Sequence, residues 1–365
     1  MPFLSRCFAL VGISLAAACN GDADSLTAPP QESSALRSDG RPELTVMTRN
    51  LYIGADVDAV IGALASPDPS DDVPSLMEAI STLQETDFST RVKAFAEEIA
   101  QHRPHVIGLQ EVSDIDIDLA ALGLPIVISL DFLPALQSEL SARGLNYVVA
   151  AQVTNIQATP LPGISLVDFD AILVDVGRAT PGEIRIEQNF STNIGVVAPG
   201  VTIKRGFVAV DVTIDGQTYL VANTHLESGS APGLDQLRAG QVIELIAVLA
   251  SAPRAVLLGD LNDVPGSPMH RMLSEAGFTD VWSTLQPRKA GYTCCHLADL
   301  SNNDNAFTQR IDYVLTRGFG RRGSLSGEIE RIGENRNDRV SGPFHDIWPS
   351  DHAGLVATLF SRIAD

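Results

Sequence analysis

The chain has 365 residues, 45% of them hydrophobic, which suits one large α/β domain with its own core or two ordinary domains and excludes a disordered chain. Its formal charge of −20 excludes a basic field over the whole molecule, and with it avid non-specific nucleic-acid binding. A nuclease stays open, because bound metal ions supply positive charge locally.

Arg6 precedes an apolar run from Phe8 to Ala18 that is too short to cross a bilayer as a helix and ends at Cys19. This pattern predicts a secretory signal over 1–18. Leu15-Ala16-Ala17-Ala18-Cys19 resembles a bacterial lipobox, in which Cys19 is lipidated and becomes the new N-terminus. Ala16 stands where Leu is most usual, and cleavage after Ala18 without lipidation is the alternative. Residues 19–42 are then the lipidated Cys and a flexible tether, with Asp, Ser, Pro and Gly and no aromatics to build a core. These features imply an exported protein, held at the bacterial cell envelope through its lipid (periplasm or outer surface) or secreted if not lipidated. The folded domain is expected over 43–365.

Glu43–Arg49 reads as a strand leading into Asn50, and 66–75, rich in Pro, Asp and Ser, reads as a loop. Phe88, Val92, Phe95 and Ile99 recur at helical spacing, which predicts an amphipathic helix over 88–102 with Pro104 just beyond its end. Val106–Leu109 is a short apolar strand ending at Gln110-Glu111. A helix over Asp131–Arg143 is closed by Gly144, and strands follow at Tyr147–Val153 and Ala171–Val176. Asp215-Gly216 between Phe207–Ile214 and Thr218–Ala222 is a hairpin signal. Leu234–Leu249 reads as a long helix, Ala255–Leu258 as a buried strand running into Gly259-Asp260, and Ile311–Leu315 and Leu355–Phe360 as late strands. Strands arrive both in hairpins and after helices, so the sheets are mixed. Asn50, Glu111, His225 and Asp260 each fall at or just past the end of a predicted strand, and Asp351 and His352 precede another. Polar residues so placed converge on one rim of a rigid scaffold.

Six motifs carry the chemistry: Thr48-Arg49-Asn50-Leu51-Tyr52, Leu109-Gln110-Glu111-Val112, Asn223-Thr224-His225-Leu226-Glu227, Gly259-Asp260-Leu261-Asn262, Arg310-Ile311-Asp312-Tyr313 and Ser350-Asp351-His352. Any one alone reads equally as a turn, a cap or a solvated strand end. Their joint order resembles the endonuclease/exonuclease/phosphatase superfamily. The starts Asn50-Leu51-Tyr52-Ile53-Gly54-Ala55-Asp56 and Arg205-Gly206-Phe207, with Gly291-Tyr292-Thr293-Cys294-Cys295 and Trp348-Pro349-Ser350-Asp351-His352, resemble one branch of it, which includes bacterial secreted proteins.

The resemblance implies an α+β, DNase I-like four-layer sandwich of two packed mixed sheets flanked by helices. It implies a phosphoesterase that uses Mg2+ or Mn2+, hard ions that prefer carboxylate and amide oxygens and that neutralise a phosphoryl group during water attack. Glu111 would be the central metal ligand, with Asn50 and Asp351 completing the metal environment. Asp260 would orient or deprotonate the attacking water, and Asn262 would hold a phosphoryl oxygen or a second metal. His225 would donate to the phosphate, and His352, oriented by Asp312, would act on the phosphoryl group. Arg205 would contact phosphate or play a structural role.

Other features keep two readings. Cys294-Cys295 is a vicinal disulfide or a pair of small packed thiols, and with Cys7 and Cys19 it makes four cysteines, too few for a disulfide scaffold. Trp282 and Trp348 read as core or loop anchors. The substrate is a phosphate ester: nucleic acid, a phospholipid head group or a soluble ester. A nuclease wants a basic groove, and only Arg317, Arg321, Arg322, Arg331, Arg336 and Arg339 offer one. A lipid-cleaving enzyme wants an exposed apolar lip; Leu119–Leu130 is apolar but lacks aromatic anchors. The membrane is met through the lipid anchor, and no protein partner is expected. The competing reading, a catalytically silent surface lipoprotein that binds through the same scaffold, predicts a missing ligand, and every main polar position is filled.

Overall fold

The computed structural model describes residues 43–320 and 325–360. The predicted signal over 1–18, Cys19, the tether, and Arg321 and Arg322 of the basic stretch lie outside the described residues. No helix among the described residues is long and apolar enough to cross a membrane.

The described chain opens with β1 (Glu43–Asn50), α1 (Val57–Leu64), α2 (Asp72–Glu85), α3 (Phe88–His102), β2 (Val106–Asp118), β3 (Val127–Asp131) and α4 (Phe132–Ala142). It continues through β4 (Tyr147–Ala158), β5 (Ile164–Asp175), β6 (Thr180–Asn189), β7 (Gly195–Ala198), β8 (Val201–Ile203), β9 (Gly206–Ile214) and β10 (Gln217–His225). Next come α5 (Leu234–Leu249), β11 (Ala255–Asp260), α6 (Pro268–Glu275), β12 (Thr279–Asp280), α7 (Val281–Leu285) and β13 (Asp312–Arg317). The described chain closes with β14 (Ser326–Ile332), β15 (Val340–Ser341), β16 (Asp346–Ile347) and β17 (Gly354–Phe360).

Local chemistry explains the clearest of these. α3 buries Phe88, Val92, Phe95 and Ile99 along one stripe and stops at Arg103, which adopts a left-handed conformation before Pro104. α6 starts on Ser267, whose side chain accepts from His270 N, and Pro268 occupies the first turn where its missing N–H costs nothing. Asp215 and Gly216 both have positive φ, as a two-residue turn between β9 and β10 demands.

Two expectations need correction. α2 begins at Asp72, inside the stretch expected as a loop, because Pro74 falls in its first turn and Leu76, Ile80 and Leu83 supply a buried stripe. β2 does not end at Leu109: it bulges at Gln110-Glu111 and runs on to Asp118, so Glu111 sits within a strand and not at its end.

The first sheet runs β14-β17-β1-β2-β5-β4-β8-β7, with β3 added on the far half of β2; the second runs β12-β13-β11-β10-β9-β6. β1–β2 and β10–β11 pair parallel and their neighbours antiparallel, so both sheets are mixed as expected. The sheets pack face to face through Val46, Val106, Ile172 and Leu355 from the first and Val208, Val221, Val256 and Leu258 from the second. α2, α3 and α4 cover the outer face of the first sheet, and α5 and α6 that of the second. The result is the four-layer DNase I-like sandwich.

Candidate active site

Strand ends from both sheets meet at one rim. Asn50, His225 and Asp260 are the last residues of β1, β10 and β11, Asp312 is the first of β13, and Asp351 and His352 lie just before β17. The β2 bulge, with Glu111 at φ +54°, turns the Glu111 carboxylate into the same cleft. Asn50, Asp260, Asp312 and His352 are buried, and Glu111 and Asp351 are half-buried. All eight residues expected at the metal and catalytic centre are brought together.

Their contacts form a closed network. Asn50 Nδ2 donates to Glu111 Oε1 (2.9 Å) and to Asp260 Oδ2 (3.3 Å), while its Oδ1 accepts from Tyr52 N (2.8 Å). Ile53 N donates to the other Glu111 oxygen at 2.8 Å. Asn262, at φ +51°, donates its backbone N–H to Asp260 Oδ1 (2.9 Å) and its side-chain amide to Leu226 O. Asp312 Oδ2 lies 2.9 Å from His352 Nδ1, with Asp260 Oδ2 at 3.7 Å from the same nitrogen. Asp351 Oδ2 stands 4.0 Å from His352 Nε2.

These neighbours set the protonation states. Burial alone would lower the affinity of His352 for a proton, but Asp312, Asp351 and Asp260 overcome it and hold the imidazole well above its ordinary value. Burial and then repulsion from Asp312 push Asp260 up to about 8, and burial lifts Asp351 to about 6. His225 goes the other way: burial and the adjacent Arg205 hold it well below the usual range, so it is neutral. Arg205 Nη1 sits 3.2 Å from His225 Nδ1. A guanidinium can only donate, so Nδ1 accepts and the ring proton is on Nε2, which faces Asp260 Oδ2 at 3.6 Å.

Arg205 thus reaches the cleft from behind His225, buried against Glu227 at 3.4 Å. Cys294 and Cys295 line the cleft beside His352 and are bonded to each other. Trp282 and Trp348 are buried anchors; Trp348 Nε1 donates to Asn302 O at 2.7 Å, and the indole stacks on His296.

A model of the endonuclease/exonuclease/phosphatase family matches residues 81–352. The chain belongs to that family. Solved structures share its fold at low identity. An endonuclease/exonuclease/phosphatase from Beutenbergia cavernae superposes with a TM-score of 0.55 at 20% identity, over 88% of this chain and 72% of that one. A family protein from Bacteroides thetaiotaomicron gives 0.54 at 16%, over 88% and 96%. D. rerio TDP2, complexed with a single-strand DNA product, gives 0.50 at 15%, over 87% and 99%. No curated protein matches the chain at the same stringency.

Members of this family are generally dependent on a divalent metal, and the residues here fit such an ion. Glu111, Asp260 and Asp351 put three carboxylates on one cleft. Each Glu111 oxygen accepts one N–H and keeps lone-pair capacity free. Asp312 Oδ1 is buried without a protein partner. A hard cation suits these oxygens, and among the described residues Asp260, Asp312 and His352 bring ligand atoms within 4.8 Å of one another. Asn50 has its amide nitrogen turned toward Glu111 and Asp260, so it orients both carboxylates.

Several supporting residues escaped the sequence reading. Arg91, buried in α3, donates to Leu51 O, Tyr52 O and Pro349 O, tying the exit of β1 to the segment before Asp351. Its signal was an arginine on the apolar stripe of Phe88 and Phe95. Gln110 Nε2 donates to Asn223 Oδ1 (2.6 Å), and Asn223 Nδ2 to Leu109 O and Ala171 O, a buried polar bridge between the sheets beneath the site. Asp168 and Asp170, i and i+2 on β5, are buried on one face. Burial, with repulsion from Glu111 and Asp170, raises Asp168 well above the carboxylate range, and burial lifts Asp170 to about 7.

Proposed function

We propose that this chain is a divalent-metal-dependent hydrolase that cleaves phosphate esters, phosphodiesters foremost, by in-line attack of water. The observation that carries the reading is the Asp312–His352 pair at 2.9 Å, set beside Asp260 and facing Glu111 and Asp351 across one cleft. A bound Mg2+ or Mn2+ would neutralise charge on the phosphoryl oxygens and on the leaving oxygen. Asp260, held by Asn262 N–H and raised toward neutral pH, is suited to accept the proton of the attacking water. The His225 Nε2–H, 3.6 Å from Asp260 Oδ2, is available to donate to a non-bridging phosphoryl oxygen. The His352 imidazolium stabilises charge developing on the phosphoryl group, and Asp312 accepts its Nδ1–H, which orients the ring and favours the charged form. The fold likeness to a protein solved with a DNA product supports the phosphodiester class.

The test is turnover of bis(p-nitrophenyl) phosphate by the purified chain with Mg2+ or Mn2+. EDTA should abolish it and either ion restore it. Full activity in metal-free buffer would refute the mechanism.

A further inference from the structure

Next to the cleft lies a second cavity of very different character. α1 and α2 form its roof with Val60, Leu76 and Ile80; Ile115, Ile117 and Leu166 of β2 and β5 form its floor. Ser165 is the one polar residue among those that line it, and the cavity volume is ≈ 80 Å³. Protein interiors leave few voids larger than a water molecule, and an apolar one stays dry and takes apolar ligands. The cavity is also placed for use. Ile53, Ala55, Val57 and Ile156 line both it and the catalytic cleft, and Ile53 N is the donor that holds Glu111.

We propose that this cavity receives the hydrocarbon chain of an amphiphilic phosphate ester whose phosphate sits in the cleft. The inference rests on the hydrolase reading for the position of the phosphate and deepens it by naming the substrate class. A nucleic-acid strand fits worse. The cavity offers nothing polar to a base or sugar beyond Ser165, and Asp56 and Asp58 at the cleft repel neighbouring phosphates. The loops that adjoin the floor strands are apolar too. The loop after β2 meets the loop before β5, where Asp118 N donates to Gly163 O. These loops and the start of β3 expose Leu122 (58%), Leu124, Leu161 and Val127 (70%), a lip suited to an assembly of lipid chains.

The experiment compares p-nitrophenyl phosphodiesters whose second ester is methyl, butyl, octyl or dodecyl, below their micelle concentrations. For the full chain with Mg2+, kcat/KM should rise by up to about fourfold per methylene buried until the cavity is filled. Ala79→Phe and Ile61→Trp, which fill the cavity from α2 and α1, should abolish that rise and leave the methyl ester unchanged, with circular dichroism confirming the fold. Calorimetric binding of dodecyl phosphate against methyl phosphate gives a readout independent of turnover. If the methyl ester is not cleaved but dodecyl phosphate binds to wild type and not to the filled variants, the cavity stands and the hydrolase reading falls. Equal kcat/KM along the series, a chain-length gain that survives in both folded variants, faster cleavage of an oligonucleotide than of every alkyl ester, or no selective binding of dodecyl phosphate would overturn the proposal.

Discussion

Replacing Asp312 with Asn keeps a hydrogen-bonding side chain against His352 and removes one charge. That charge lies 2.9 Å from His352 Nδ1 and acts on two groups in opposite senses: it raises His352 by attraction and raises Asp260 by repulsion. At an effective dielectric of about 20 a unit charge at such range is worth about 6 kcal/mol, an upper bound of about four pKa units. Measured shifts beside an opposite charge run about 1–3 units. Asp260 and Asp351 still face the imidazole in the variant, so His352 stays protonated over part of the neutral range. Activity needs Asp260 ionised and His352 protonated. Both pKa values fall in Asp312→Asn, so the acid limb and the alkaline limb of the pH–rate profile should each move down, by about 1–3 units. His352→Ala should lose more, at least the roughly 10²–10⁴-fold that acid–base catalysis supplies. The assay is kcat against pH for the three proteins, with circular dichroism to check folding. An unchanged profile in Asp312→Asn refutes the pairing, and a folded His352→Ala with near-normal rates removes His352 from the chemistry.

Away from the cleft, Asp280 accepts from both Arg310 terminal nitrogens (3.1 and 2.7 Å) and caps α7 at Ser283 N. Burial alone would raise its carboxyl, but His270 and Arg310 outweigh it and hold it well below the usual range. That stability is present above the unfolded carboxylate value of about 4 and is lost as pH falls from there, and Asp280→Asn at neutral pH should cost about 3–5 kcal/mol in urea denaturation by stranding Arg310. In Gly108→Ala the new Cβ would lie 2.6 Å from Asn223 Oδ1 and 2.9 Å from Leu258 Cβ, and the variant should unfold at lower urea by about 1–3 kcal/mol. Labelled palmitate should enter the wild type expressed in a bacterial host and spare Cys19→Ser; lipid on the variant would overturn the lipobox reading.

The residues with a repeating physical signature were legible. α3 declared itself through Phe88, Val92, Phe95 and Ile99, and the β9–β10 hairpin through Asp215-Gly216, since both depend on neighbours along the chain. The members of the cleft were legible from their motifs. Their mutual bonds were not, because sequence spacing carries no distances: Asp312 and His352 are far apart in sequence and 2.9 Å apart in space. The bulge at Glu111 was invisible because one extra residue in a strand leaves the apolar run unbroken on either side. Arg205 could be read two ways until the fold put it behind His225. β6 was missed because it is largely exposed, and its alternation is only two apolar residues long, Ile184 and Ile186.

Half of the cleft belongs to each sheet. Asn50, Glu111 and the Asp351-His352 turn ride on β1, β2 and β17, whereas His225, Asp260 and Asp312 ride on β10, β11 and β13. The Asn50–Asp260 and Asp312–His352 bonds therefore span a seam. The spacing of that seam is fixed by side chains such as Ile172, Val208 and Val256, well below the cleft and without any polar atom of their own. Trimming one of these would let the two halves settle closer or rotate by tenths of an ångström while the protein stays folded. Enzymatic rate, which feels such displacements steeply, would then report on the middle of the sandwich before any melting curve did.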